Sequence, residues 1–403
     1  MGFLTRLFNL RPGEAPPVVA GLILFFLLFT GYFMLRPVRE TMGVAGGVDN
    51  LQWLFTGTFV STLLVLPLFG WLASRVAQRR ILPYAYGFFI LNLLLFAALF
   101  LNQPDNPWLA RTFYIWLSVF NLVAISLAWS VLADVFSTAQ AKRLFGMMAG
   151  GASLGGLVGP SAGILLVAPL RHSGLLALAA LLLVGSVGAA MWLYRWRDRH
   201  PLAQDEQPAE EKRHVSLGGN PFDGAVEVAR TPFLMGIALF VVLLASVSTF
   251  LYFEQAELVA QRFPDPVQQT QVFGLIDMTV QALAIFTQVF LTGRIAQRLG
   301  IGVLLVAVPL VIAGGFLWLA LAPTFAVFVV IMVARRFGEY AWCVRGGKCS
   351  TRWCRRSRNS KPRTSSTPSS IVAVTPSAVG SSEGWICLRN CRGLPCSSAP
   401  ASP

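Results

Sequence analysis

Arg36, Arg39 and Glu40 stand at the edge of an apolar run, residues 17–36, in the stretch "YFMLRPVRE". Two guanidiniums and a carboxylate beside a segment otherwise free of charge put ionic chemistry where water is scarce. Guanidinium groups grip carboxylate or phosphate through parallel hydrogen bonds, and a carboxylate in such a place is charged or neutral according to its partner. The pattern recurs along the chain. Asp134 follows the run 110–133, and Lys142 and Arg143 open the run 144–168. Glu254 and Glu257, three apart and so neighbours on one helix face, end the run 233–254. Asp277 lies about five residues into the run 272–293, with Gln281 one turn on, and Arg335, Arg336 and Glu339 fall inside the run 324–341. Charges at such depth are costly and tend to mark function. Arg36, Arg39, Lys142, Arg143, Arg335 and Arg336 are therefore candidate groups for binding an anionic solute. Glu40, Asp134, Glu254, Glu257, Asp277 and Glu339 are candidate coupling or gating groups. The competing reading of each is an interfacial anchor or an ion pair between helices.

No catalytic constellation accompanies these residues. The chain shows no P-loop, no Ser/His/Asp set and no H-E-x-x-H, and His172, His200 and His214 read as loop residues. Asp205, Glu206, Glu210, Glu211 and His214 cluster in a polar stretch that reads as a solvated linker rather than a metal site. All six cysteines (Cys343, Cys349, Cys354, Cys387, Cys391, Cys396) lie near the C-terminal end, so the apolar part holds no disulfide framework. The expectation is no enzyme, no cofactor and no metal.

What positions the charges is a series of apolar segments. Of 403 residues, 55% are hydrophobic and 12% charged, which excludes a wet-surfaced soluble protein. Ten runs of roughly 20 residues are long enough to cross a bilayer: 17–36, 51–73, 81–102, 110–133, 144–168, 174–195, 233–254, 272–293, 300–322 and 324–341. The first is too long for a signal peptide, and "RPVRE" stands where a small-residue cleavage site belongs. Lys and Arg concentrate in the N-terminal stretch and in alternate breaks, fifteen against about five, which places the N-terminus in the cytoplasm. The net charge of +14 sits mostly in residues 342–403 and does not imply a nucleic-acid partner. The one long polar break, 196–232, mixes both signs with Pro and Gly and reads as a cytoplasmic linker. Around it the chain repeats. "RVAQR" at Arg75 matches "RIAQR" at Arg294, and Tyr32-Phe33 matches Tyr252-Phe253 near the same offset. The chain thus reads as an all-α polytopic membrane protein of two related six-helix halves, the second incomplete. Residues 1–195 form the first bundle, 196–232 the linker, 233–341 a partial second bundle of about four helices, and 342–403 a disordered tail. "GMMAGGASLGGLVGPSAG" in the fifth run spaces small residues three and four apart, which permits close helix contact in lipid, and its Gly and Pro160 permit bending.

Six plus six helices with the N-terminus inside resemble the major facilitator superfamily. Gly70-Trp71-Leu72-Ala73-Ser74-Arg75-Val76-Ala77-Gln78-Arg79-Arg80 resembles its loop motif G-x-L-A-D-R-x-G-R-R-R, with Ser74 in place of the acid and Ala77 in place of the second glycine. That likeness makes Gly70, Arg75, Arg79 and Arg80 gating candidates. A narrower resemblance rests on "YFMLRPVRETMGVAGG", "LQWLFTGTF", "DVFSTAQAKRLFGMMAGGASLGGLVGP" and "RRFGEYA". It is to the bacterial and plastid ADP/ATP exchange translocases and their smaller bacterial relatives. It implies a monomeric, multi-pass carrier in a bacterial inner membrane, moving a small anionic solute such as ADP or ATP by alternating access. The runners-up are proton-coupled efflux of a hydrophobic or cationic compound, in which Asp134 or Asp277 would matter most, and a transport-dead scaffold.

Residues 342–403 break the pattern, turning within a few residues from Leu, Val and Phe to Cys, Arg and Ser. Reading each codon from its third base, "WCVRGGKCS" permits "VRPGREML", and "KPRTSSTPSSIVAVTPSAV" permits "AKNFIDTVVYRGGDAVSG". The second hidden string echoes "AKRLFG" and "GGASLGG" of the first half. One base lost near codon 342 explains the clustered cysteines and the missing helices together. On that reading the chain as written lacks its last two helices and does not transport.

Overall fold

The computed structural model describes residues 13–75, 78–200, 232–286, 310, 313–319, 321 and 324–336. Among these every regular element is helical. The helices are α1 (Ala15–Ala45), α2 (Leu51–Arg75), α3 (Gln78–Asn102), α4 (Pro107–Val135), α5 (Thr138–Arg199), α6 (Pro232–Arg262) and α7 (Pro266–Phe286). Residues 313–319 and 325–336 are also helical. Six of these stretches are long and apolar enough to cross a membrane, and α7 is not among them. The ends have local causes. Asn106 caps α4 by accepting from the Trp108 and Leu109 amides at 3.0 and 3.4 Å, with Pro107 at the first position. Ser137 and Gln140 form a reciprocal capping box at the start of α5. Gly47, at φ +98°, supplies the left-handed turn between α1 and α2.

Contacts sort the chain into two compact units, Met1–Gly218 with Tyr252–Ala282, and Gly219–Leu251 with Leu283–Pro403. In the first, α1 is the central helix, burying Leu24, Phe25, Leu28, Phe29, Met34 and Leu35. Helix α2 exposes Leu63, Leu64 and Leu68, the surface of a helix solvated by lipid. Helix α5 is two helices joined at Arg171, whose φ of 56° and ψ of −178° break the helical path. A Cβ built on Gly151, Gly155 or Gly159 would lie 2.3, 2.7 or 2.7 Å from the carbonyl oxygen of Leu22, Phe26 or Thr30, so this arm runs parallel to α1 in matching steps of four. Beyond Arg171 the order inverts: Gly31 faces Ala179 and Leu182, Gly185 faces Leu27, and Ser186 Oγ donates to the Leu24 carbonyl. Both arms of α5 therefore embrace α1, which confirms the close packing expected of the small-residue string.

Several sequence expectations need correction. The first run does not end at Arg36: α1 continues through Pro37 to Ala45, so Arg36, Arg39 and Glu40 are inside a helix and buried, not interfacial. Proline inside a membrane helix frees the carbonyl four residues earlier, here that of Phe33, and is tolerated where neighbours satisfy it; separately, Thr41 Oγ1 donates to the Pro37 carbonyl at 3.2 Å. Helix α6 runs on to Arg262, so Glu254 and Glu257 sit within it, and α7 begins at Pro266, which puts Asp277 at its middle. His172 is on α5 past the turn, not in a loop. Glu339, the Arg294 repeat, most of the linker and the tail 342–403 lie outside the described residues.

Candidate functional site

Arg36 and Arg39 are three residues apart on α1, so both reach one side of that helix. Arg36 Nε stands 3.5 Å from Asp277 Oδ2 of α7, with the side chains 10% and 4% exposed. Arg39 Nη2 donates to Glu40 Oε1 at 2.7 Å, Arg39 Nη1 donates to Ser118 Oγ of α4 at 3.2 Å, and the guanidinium lies 4.9 Å from the Tyr114 ring centre. The Tyr252 hydroxyl of α6 donates to Glu40 Oε2 and meets the Tyr114 hydroxyl at 2.8 Å. Two cations and two anions are thus held together by α1, α4, α6 and α7 inside the first unit. Buried charges persist only when paired: Arg39 and Glu40 are paired and hydrogen-bonded, and Arg36 and Asp277 are ion-paired.

Around them hydrogen-bonding capacity goes unused. Tyr32 Oη, one turn before Arg36, Asn121 Oδ1, one turn after Ser118, Gln255 Oε1, one turn after Tyr252, and Arg39 Nε are buried with no hydrogen-bond partner among the described residues. Native interiors leave few such atoms unless a solute or water completes them. A cavity of about 10 Å3 touches Tyr32, Gly31 and Phe120, room for one water rather than a metabolite.

The other candidates fall elsewhere. Arg143 Nη2 donates to Glu14 Oε1 at 2.7 Å, and Gln140 Nε2 reaches the same oxygen at 3.4 Å. This is the N-terminal end of α1, some twenty-two residues or roughly 33 Å of helix from Arg36. At that same end Arg79 pairs with Asp198 and donates to the Tyr194 carbonyl at 3.0 Å. Lys142 is on α5, its side chain outside the described residues. Gly70, Arg75 and Arg80 are exposed, and Asp134 is half-buried. Glu254 is half-buried, whereas Glu257 is exposed and accepts from Gln261 Nε2 at 3.3 Å. In the second unit Arg335 and Arg336 are buried, and Arg335 Nη1 donates to Ser248 Oγ at 2.7 Å. Of the candidate cations, the described side chains of the first unit bring Arg36 and Arg39 to one place, while Arg143 and Arg79 lie at the other end of α1.

Sequence reading missed Glu14, Ser118, Asn121 and the tyrosines, and it missed the chain His172 Nε2 to Thr270 Oγ1 at 2.9 Å and Thr270 Oγ1 to Thr41 Oγ1 at 2.8 Å. The one available signal was the Ser137-x-x-Gln140 spacing, which marks a capping box rather than a site. Among the described residues no group of His, Cys, Asp and Glu could hold a metal.

No curated protein matches the chain, so the narrower likeness to ADP/ATP translocases gains no support there. The fold is similar to that of a bacterial homolog to the human lysosomal transporter Spinster, with a TM-score of 0.50, 14% identity, and 95% of this chain and 81% of that one covered. The human organic anion transporter MFSD10 (TETRAN) aligns over 95% of this chain and 92% of its own, at 18% identity and a TM-score of 0.47. Residues 18–343 match the Major Facilitator Superfamily. With its long apolar helices, its ion-paired interior and that match over most of its length, the chain belongs to the Major Facilitator Superfamily of multi-pass membrane transporters.

Proposed function

We propose that this transporter carries an anionic metabolite by alternating access, with a nucleotide as the first solute to test. The observation that carries the reading is the pair Arg36 and Arg39, buried together in a membrane-spanning helix beside unused hydrogen-bonding atoms of Tyr32 and Asn121. Guanidinium groups suit phosphate and carboxylate because they present fixed parallel donors. The nucleotide itself rests on the sequence resemblance alone. The two halves, 1–195 and 233–341, rock about the charged cluster, with the N-terminus and the Arg79–Asp198 end in the cytoplasm of a bacterial cell and the carrier acting as a monomer. Side-chain contacts join the arginine-richer breaks at that end: Glu14 with Arg143, Arg79 with Asp198, and Arg197 Nη2 donating to Gln140 Oε1 at 3.5 Å.

The test is exchange of labelled ADP, ATP and a panel of organic anions in proteoliposomes, using the gene with its reading frame restored after codon 342. Arg36→Gln and Arg39→Gln should each abolish exchange of the active solute while leaving the protein in the membrane fraction. Exchange that survives both changes would sink the anion reading. Finding no transport of any solute would favour a scaffold. Asp277, 4% exposed, supports one other reading, proton-coupled efflux. That reading expects Asp277→Asn to abolish transport of a cationic or hydrophobic compound.

A further inference from the structure

Among the described residues the charged cluster pairs two guanidiniums with two carboxylates, one acid to each base. An arginine fully neutralised by a carboxylate offers an incoming anion little attraction. One of the acids must give way before a solute is gripped. The two pairs differ in how they are tied. Arg39 is fixed by Glu40 of its own helix, by Ser118 Oγ at 3.2 Å and by the Tyr114 ring, and Glu40 is held in turn by Tyr252. Arg36 meets Asp277 across two helices at 3.5 Å, a looser separation than the 2.7 Å of Arg39 and Glu40. Tyr32 Oη, buried and without a hydrogen-bond partner among the described residues, stands one turn away from Arg36 on the same helix.

We infer that an anionic solute binds by displacing Asp277 from Arg36, so that loading the carrier breaks the ion pair between α1 and α7 while their Thr41–Thr270 hydrogen bond stays. The inference rests on the anion reading above and adds to it the group the solute must compete with. The empty carrier is tied by its own carboxylate and the loaded carrier by its cargo's contact to Arg36. This favours exchange of one anion for another over one-way movement, because a carrier that releases its solute ties itself again. The ligand class is a small anion bearing phosphate or carboxylate, the groups that reproduce the carboxylate of Asp277 at a guanidinium.

The test is binding to the full 403-residue chain in lipid nanodiscs by isothermal titration, with ADP and inorganic pyrophosphate as probes. Asp277→Asn should bind at least one probe about tenfold more tightly than the unaltered chain or better. Asp277→Glu, which keeps the competing charge, should not, and adding Arg36→Gln to any of these should remove binding. If binding needs Arg36 yet Asp277→Asn binds no more tightly, the displacement inference fails and the anion reading stands. If neither probe binds the unaltered chain or Asp277→Asn, displacement by phosphate-bearing anions is overturned, and the anion reading is decided separately by the exchange assay on the frame-restored protein. Should Asp277→Asn be poorly folded, its yield becomes the readout. A monodisperse yield restored by whichever probe binds the unaltered chain, present from solubilisation onward, supports displacement, and a yield indifferent to it overturns displacement.

Discussion

At the scale of residues, Arg39 and Glu40 behave as one neutral object. Truncating one partner of a buried ion pair strands the other charge, whereas removing both does not. Arg39→Gln should therefore cost roughly 3–5 kcal/mol of stability, and Arg39→Gln with Glu40→Gln distinctly less, as read by thermal unfolding of the four members of a double-mutant cycle in detergent. A double-variant loss equal to the sum of the two single losses would mean the pair is not coupled. The types of these residues were legible in the sequence, because any Arg, Glu or Asp inside an apolar run stands out. Their pairings were not. Asp277 reaches Arg36 only because α7 starts at Pro266 and α1 passes through Pro37; Asp265-Pro266 does mark a helix start, but Pro37 reads as a helix end rather than a point the helix passes. Tyr114 and Tyr252 were hidden for another reason, since tyrosine near a membrane helix end usually means an interfacial belt.

At the scale of elements, the seam between α1 and the first arm of α5 sets what is tolerated. Gly155→Ala would press a methyl to 2.7 Å from the Phe26 carbonyl oxygen and should cost about 2–3 kcal/mol, because neither backbone can yield. Gly150→Ala meets nothing within 4 Å and should be neutral or gain up to about 1 kcal/mol from helix propensity. Expression and melting temperature of the two variants separate these outcomes. The turn at Arg171 makes the opposite case. Its φ of 56° with extended ψ suits glycine, so Arg171→Gly should raise stability by roughly 1 kcal/mol once the greater freedom of glycine in the unfolded chain is deducted. The seam was visible beforehand as small residues three and four apart. Its partner was not, for such spacing names a face without saying which helix lies against it.

At the scale of the whole molecule, the family match stops at residue 343, next to the point where the composition turns. On the frame-slip reading, resequencing the gene should reveal a missing base near codon 342, and the restored protein should transport where the 403-residue product does not. An intact frame together with transport by the product would refute it. The two-half repeat reads directly from the sequence, and its Arg294 copy lies outside the described residues. The cross-helix partner of Arg36 also bears on how the protein is made. Arg36 enters the bilayer about 240 residues before Asp277 is synthesised. At bacterial or eukaryotic elongation speeds that gap is roughly ten to fifty seconds. Throughout it, α1 must reside in lipid with a guanidinium that its eventual counterion has not yet reached, and the insertion machinery tolerates each such charge only at a penalty of about 3 kcal/mol. The Leu- and Phe-rich stretch from Leu22 to Phe29 is what keeps the helix from slipping back out during that wait. Slow codons or a stalled ribosome between α1 and α7 would therefore send newborn chains to membrane proteases, while the finished protein would be untouched.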